Sequence, residues 1–506
     1  MVRIERESDI EVLRQVAALL DRENLRLIDR IKALTEENSK LKGEDTGRLQ
    51  LELDQLKDLL ARRDRALFAQ TTERRRRPGN GSPEGTESAP RRGHGPRSQP
   101  DLPLQEVLHD LPETERKCDA CGGTVEEWAG QFEDSEEITV VERQFVLVKH
   151  RRKKYRCSCN GCVLTAPAPP KLKAGSRYSV PFAVEVAASK YLDHMPLERQ
   201  VRMMRREGLL IDSQTLWDQI ESLASYLMPT YEALGRKGLE AALVHADETR
   251  WRLMNKEGSK RWWVWEVASE EAVFYRILNS RSHEAAAEIL KDYAGIVMAD
   301  GYSVYEALAR DGPRRFALVH CWAHARRKFI ECEENFPEQA KEILDLIKEL
   351  YEIERLVPRV ERSASQEEKA EALKLRTELR CTRSKQIVES IKTWVLGQLV
   401  LPESGLGKAI SYMMGMWKGL TAFLDDPRIP LDNNHAERGL RGVVLGRKNH
   451  YGSRSRRGTE VAALFYSLLE TAKLVSVEPK SYLLRAALAA IAQPGTVTLP
   501  HDLLAN

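Results

Sequence analysis

Cysteine is scarce in this chain, with 8 in 506 residues. So few thiols in so long a chain exclude a disulfide-stapled scaffold. Long apolar runs are missing too: no stretch approaches the roughly 18 residues that a bilayer-spanning helix needs, which excludes a membrane-spanning protein. The opening residues, Met1 to Glu7, are charged and have no apolar h-region, so no secretory signal is expected and the expected compartment is a reducing cytosol. Net charge is also nearly absent, because 79 Lys+Arg stand against 76 Asp+Glu for a formal +3. That balance argues against a polyanionic partner only if the charges are evenly spread, and they are not. The 42% of hydrophobic residues suffices for at least one sizeable core.

The N-terminal 9–77 read as a leucine-zipper coiled coil. Leu13, Leu20, Leu27, Leu34 and Leu41 recur every seventh position, with Ile10, Ala17, Asn24, Ile31 and Asn38 at the a positions. Leucine at d with occasional isoleucine and asparagine at a favours two parallel strands, so a homodimer is expected. A flexible linker follows at 78–100, where 13 of 23 residues are Pro, Gly or Ser. Residues 101–170 hold five of the eight cysteines and read as a zinc-finger module. Cys118 and Cys121 form one CxxC knuckle, and the second offers three thiolates for two places: Cys159 with Cys162, or Cys157 as a substitute. The run Arg151, Arg152, Lys153, Lys154, Tyr155, Arg156 lies directly before that knuckle, as either a phosphate-contacting surface or a solvated strand edge.

Residues 171–238 look helical. A helix over 196–207, a turn at Gly208 and a cap at Asp212-Ser213 outline a helix-turn-helix, a candidate DNA-binding segment whose outline also occurs in helices that bind nothing. From 239 to 475 the pattern becomes α/β. Strands are predicted over 239–246, 261–268, 272–278, 295–299 and 316–320, with helices over 283–292 and 303–310. Three meander strands followed by helix–strand–helix–strand is the strand order of ribonuclease-H-like folds. A charged helical insertion spans about 330–425, with helices over 338–357 and 366–395. Beyond it, an Asp432-Asn433-Asn434 cap starts a helix bearing Glu437, and a C-terminal helical tail covers 476–506.

Two predicted strands end in aspartate, at Asp247 and Asp300. If those strands are neighbours, the two carboxylates face each other and Glu437 can close a third side. Three carboxylates with open positions suit Mg²⁺, and two such ions serve an in-line phosphoryl displacement. After Glu437, residues 438–457 carry Arg438, Arg441, Arg447, Lys448, Arg454, Arg456 and Arg457 with no acid, and Gly439, Gly442, Gly446 and Gly452 are interleaved. Such a stretch fits a nucleic-acid backbone. His320, Cys321 and His324 are spaced poorly for a metal, because His320 ends a strand; with Arg326, Arg327 and Lys328 they read as structural or DNA-positioning.

Together these motifs resemble transposases of the insertion sequence 66 family over nearly the whole chain. The matching segments include CDACGG…CSCNGC, HADETRW at 245–251, ADGYSVYEAL at 299–308, CWAHARRKF at 321–329, NNHAERGLR at 433–441 and GRKNHYGS at 446–453. The resemblance implies a DDE triad at Asp247, Asp300 and Glu437. It also implies Mg²⁺-dependent cleavage and joining at the terminal inverted repeats and target DNA, with possible accessory proteins of the same element. A catalytically inactive DNA-binding regulator derived from such an enzyme is the alternative. The CxCxxC second knuckle departs from the expected pattern and leaves the fourth zinc ligand open. The near-zero net charge hides cation clusters at 74–77, 151–156 and 438–457.

Overall fold

The computed structural model describes residues 144–156, 163–255, 258–311, 316–360 and 364–504. The expected zipper at 9–77, the linker at 78–100 and the five candidate zinc ligands Cys118, Cys121, Cys157, Cys159 and Cys162 lie outside the described residues. The first described strands, β1 (Lys154–Arg156) and β2 (Val163–Thr165), pair antiparallel. Arg151, Arg152, Lys153 and Lys154 are exposed beside them.

Three helices follow: α1 (Val180–Tyr191), α2 (Leu197–Arg206) and α3 (Ser213–Gly238). Their starts follow from local chemistry. Ser179 accepts from the Phe182 N–H, and Asp212 accepts from the Thr215 N–H at 2.7 Å, each satisfying an orphan donor of the first turn. Gly208 supplies the turn between α2 and α3 at φ +85°. The helix-turn-helix outline is thus present locally. Leu216, Ile220, Leu223, Leu227 and Leu234 on α3 are fully buried in the same core as the sheet, so these helices are part of the α/β body.

The sheet contains β3 (Leu243–Asn255), β4 (Gly258–Ala268), β5 (Val273–Leu278), β6 (Ile296–Ala299) and β7 (Ala317–His320), in the spatial order β5-β4-β3-β6-β7. The first three strands form an antiparallel meander; β6 and β7 add in parallel on the other side of β3. Helices α4 (His283–Leu290) and α5 (Ser303–Asp311) make the crossovers that parallel pairing demands. The first strand differs from expectation: it continues well past Asp247, as half of a long hairpin.

Between β7 and the return to the sheet lies the helical insertion: α6 (Trp322–Ile330), α7 (Pro337–Glu354), α8 (Gln366–Leu379), α9 (Lys385–Leu396), α10 (Gly405–Gly415) and α11 (Trp417–Thr421). It has its own hydrophobic cluster, including Phe329, Ile343, Ile347, Leu350, Ile391, Leu406 and Phe423. The helix expected over 366–395 is broken by a π-helical turn at Arg380–Ser384. That turn buries Arg380, whose guanidinium pairs with both oxygens of Glu354 at 2.7 and 3.0 Å and donates to the Phe423 carbonyl at 2.8 Å.

The chain returns through α12 (Asn434–His450), α13 (Arg456–Leu474) and α14 (Pro479–Ala492). The β5 edge is closed by α13. Buried Thr471 and Ser467 accept from the Val273 and Tyr275 backbone N–H groups at 3.0 and 2.9 Å. An open edge would otherwise invite strand pairing with another chain.

Candidate active site

Parallel pairing of β3 with β6 sets the centre of the site. Leu243, Val244 and His245 pair with Ile296, Val297 and Met298. Carried two residues on, that register places Asp247 beside Asp300, at the point where β6 ends and β3 runs on alone. Each aspartate is locally anchored. Asp247 accepts from the Glu248 N–H at 2.7 Å, and Asp300 accepts from the Tyr302 N–H at 3.0 Å.

Glu437 comes from the first turn of α12, where the positive end of the helix dipole favours a carboxylate. The helix entry was expected to be capped by asparagine, and Asn433 does occupy the cap position, but its side chain makes no cap bond. The amide is spent across the fold instead. It donates to the Ala246 carbonyl at 3.0 Å and meets His245 Nδ1 at 2.8 Å, fully buried. Asn433 therefore ties the Glu437 helix to the residue preceding Asp247. The same segment is held from the insertion side, where the Trp322 N–H donates to the Leu431 carbonyl at 2.9 Å and the Asn433 N–H donates to Cys321 Sγ at 3.1 Å. Burial pushes that thiol up to about 12, so Cys321 stays neutral.

The carboxylates feel one another. Removal from water pushes the Asp247 carboxyl up to about 8, and the nearby charges of Glu248, Asp300 and Glu437 act in the same direction. On the Asp247 face of the sheet, Glu266 of β4 stands directly opposite Asp247, 1% exposed, with no hydrogen-bond partner among the described residues for either carboxylate oxygen. Burial first, and then the charges of Asp247 and Glu470, drive its pKa well up, which favours the protonated form. Gly439 of α12 lies against it: a Cβ there would collide with Glu266 Oε1. Gly439 thus lets α12 approach the sheet, while Gly442 and Gly446 lie against Glu470 and Tyr466 of α13. On the opposite face, Glu248 is buried and paired with Arg281 at 2.9 Å, and accepts from Tyr305 Oη at 2.8 Å.

The insertion walls the other side. His324 Nε2 and the Arg327 guanidinium of α6 stand 3.6 and 3.8 Å from Glu437 Oε1. That oxygen is buried and has no hydrogen-bond partner among the described residues. Tyr412 and Met416 press on Gly301, next to Asp300, so closely that a Cβ at 301 would lie 2.8 Å from Tyr412 Oη. His320 ends β7 and is buried with burial lowering its pKa, while His324 sits on the helix beyond; the two are on different elements.

Oxygen-rich donors and an orphaned Glu437 oxygen suit a hard divalent cation by type. As placed, no three His, Cys, Asp or Glu side chains among the described residues converge closely enough to hold one. The sequence pointed to Asp247, Asp300 and Glu437; Asn433, Glu266 and the contact of His324 with Glu437 were not anticipated. Glu266 could have been flagged as the lone charge in the apolar run RWWVWEVA.

The cations of 438–457 divide into two groups. Arg438, Arg441, Lys448, Arg454 and Arg456 are exposed. Arg447 is engaged with Thr249 Oγ1 and the Arg250 carbonyl, and Arg457 with Glu221 and Glu460. Arg326 lies near Tyr351 and Asp432, and Lys328 pairs with Glu331 at 3.1 Å.

Residues 175–461 match the family described as Transposase IS66 family, a span that includes all three carboxylates. Three relatives come from Sinorhizobium fredii (strain NBRC 101917 / NGR234). Uncharacterized protein y4jD is 32% identical over 76% of this chain and 76% of its own length. Uncharacterized proteins y4hP and y4qI are 28% and 29% identical, over 76% and 75% of this chain and 71% of each of theirs. A family match over more than half of the chain, with a relative this similar over three quarters of both, establishes that the chain belongs to the IS66 transposase family.

Proposed function

We propose that this protein is a DDE transposase that binds the terminal inverted repeats of its element and catalyses metal-dependent strand cleavage and strand transfer. The observation that carries the reading is the β3–β6 pairing, which sets Asp247 beside Asp300 under the helix that bears Glu437. The strand order β5-β4-β3-β6-β7, antiparallel then parallel, supports a ribonuclease-H-like catalytic domain. Asp247, Asp300 and Glu437 are the residues that would hold two Mg²⁺ ions. Bound there, the ions supply activation of the attacking oxygen and stabilisation of the leaving oxygen.

The chain's own residues do the positioning. Asn433 keeps α12 in register with β3, and thereby Glu437 with Asp247. His324 and Arg327 stand 3.6 and 3.8 Å from Glu437 Oε1 and hold that carboxylate in place. Exposed Arg438, Arg441 and Lys448 on the same helix would steer a phosphate backbone toward the carboxylates. The reading extends to a structural Zn²⁺ on Cys118, Cys121 and Cys162 with Cys159 or Cys157, and to a dimer through the 9–77 zipper.

The test is cleavage of a duplex carrying the element's inverted repeats in Mg²⁺, with the wild type beside Asp247→Ala. Nicking by the wild type alone is expected. A wild type that binds the ends in a gel-shift assay but never nicks them, with Mg²⁺ or Mn²⁺, would favour the inactive regulator.

A further inference from the structure

The β3–β4 hairpin projects past the end of β6, beyond the carboxylates. Side chains alternate along it. Thr249, Trp251 and Leu253 face α12, and Trp251 and Leu253 are buried there; Arg250 and Arg252 face the other way and are exposed. On that second face the cross-strand partners are Trp263 for Arg250 and Arg261 for Arg252. Two arginines directly opposite each other in an antiparallel pair repel, and folding gains nothing from them. Neither Arg252 nor Arg261 has an acidic partner among the described residues. Arg250 lies over the Trp263 ring at 5.9 Å from its centre.

The hairpin is also pinned to the end of the basic stretch. The Ser453 N–H donates to the Arg252 carbonyl at 3.0 Å, the Met254 N–H donates to the Ser453 carbonyl at 2.8 Å, and Arg447 donates to the Arg250 carbonyl. Gly452, at φ +104°, permits the approach, because a Cβ there would strike the Arg252 carbonyl. These bonds seat Ser453, the neighbour of exposed Arg454, on the hairpin and crowd Arg447 against Arg250 and Arg252, whose charges, after burial, press its pKa down. A cation cluster assembled at a cost to the fold, with an aromatic ring among it, has the chemistry of a nucleic-acid backbone contact.

We infer that the β3–β4 hairpin, through Arg250, Arg252 and Arg261, is a second DNA-backbone contact that continues the path of α12 beyond the carboxylates. The inference rests on the reading of this protein as one that acts on DNA. Duplex DNA is the partner, because its phosphates would neutralise the charges that crowd Arg447 against Arg250 and Arg252 beside the proposed cleavage site.

The experiment measures equilibrium binding of the full chain to a labelled duplex oligonucleotide across a salt series. Wild type is compared with Arg252→Gln/Arg261→Gln and with a control, Arg355→Gln/Arg359→Gln, which removes two exposed cations from the insertion. The hairpin variant is expected to bind of order ten-fold more weakly at low salt, with the slope of log affinity against log salt reduced by about 0.9 per lost phosphate contact. The control keeps the wild-type slope. Because the hairpin substitutions remove a repulsive pair, the melting temperature of that variant is expected to be unchanged or higher, which separates lost contact from lost fold. A hairpin variant with the wild-type affinity and slope overturns the inference while leaving DNA binding intact. A wild type that binds no duplex overturns the DNA reading itself, and the inference with it.

Discussion

Replacing Asp247 by Asn is expected to stabilise the metal-free protein, and to do so increasingly as the pH rises. The folded carboxyl is pushed up to about 8, whereas an unfolded aspartate titrates near 3.9. Between those values the folded state keeps a proton that the unfolded state has released. The stability linked to that proton is fully present below about pH 4 and is lost as pH climbs through about 8. Asn carries no charge and escapes the loss. At about 1.4 kcal/mol per pH unit the whole window has a ceiling of about 5–6 kcal/mol. Asp247 is only partly buried and its neighbours relax, so about 2 kcal/mol is the working figure. The assay is thermal unfolding in chelator at pH 5 and pH 8. The gap between Asp247→Asn and wild type is expected to widen by a few degrees, at about 2–4 °C per kcal/mol or less for a domain of this size. A gap that stays constant or narrows would refute the reasoning that burial and the surrounding carboxylates oppose the Asp247 charge.

Three other perturbations probe the scaffold. Arg380→Ala leaves Glu354 with Arg376, at 3.4 Å, in place of its bidentate partner and is expected to cost about 1.5–3 kcal/mol, read as a lower denaturant midpoint. Asn433→Ala removes the bond to Ala246 and is expected to cost about 1–3 kcal/mol in urea unfolding. Its larger effect is expected on cleavage, because α12 loses its tie to the Asp247 strand. Gly439→Ala forces a methyl group into Glu266 and is expected to cost about 1–3 kcal/mol by overpacking, seen as a lower melting temperature; Glu266→Gln, which keeps the volume, is expected to cost less.

The strands of the sheet were legible because each apolar run stops at a charged or turn residue. The rule failed where a strand leaves the core. Beyond Asp247, the residues Thr249 to Leu253 alternate between apolar and arginine, the pattern of a half-buried strand. A search for continuous apolar runs ends at the aspartate and misses them. The expected 366–395 helix was right in its spacing but hid the π-turn, which depends on Glu354 and Phe423 from distant segments. Asp247 and Asp300 could be picked out as carboxylates that end apolar runs, although Asp247 lies within β3, and Glu437 as one in a first helical turn. The role of Asn433 could not, because an asparagine before a helix has an ordinary local use as a cap. Its actual partners, Ala246 and His245, are nearly two hundred residues away.

The most direct test of the account is metal-dependent cleavage of the element's terminal repeats by Glu437→Gln. The substitution keeps the size and a carbonyl oxygen facing His324 and Arg327 while removing the charge that a cation needs. The account predicts wild-type affinity for the ends in a gel shift, with cleavage reduced to background. Cleavage by the variant at a rate comparable to the wild type would contradict it.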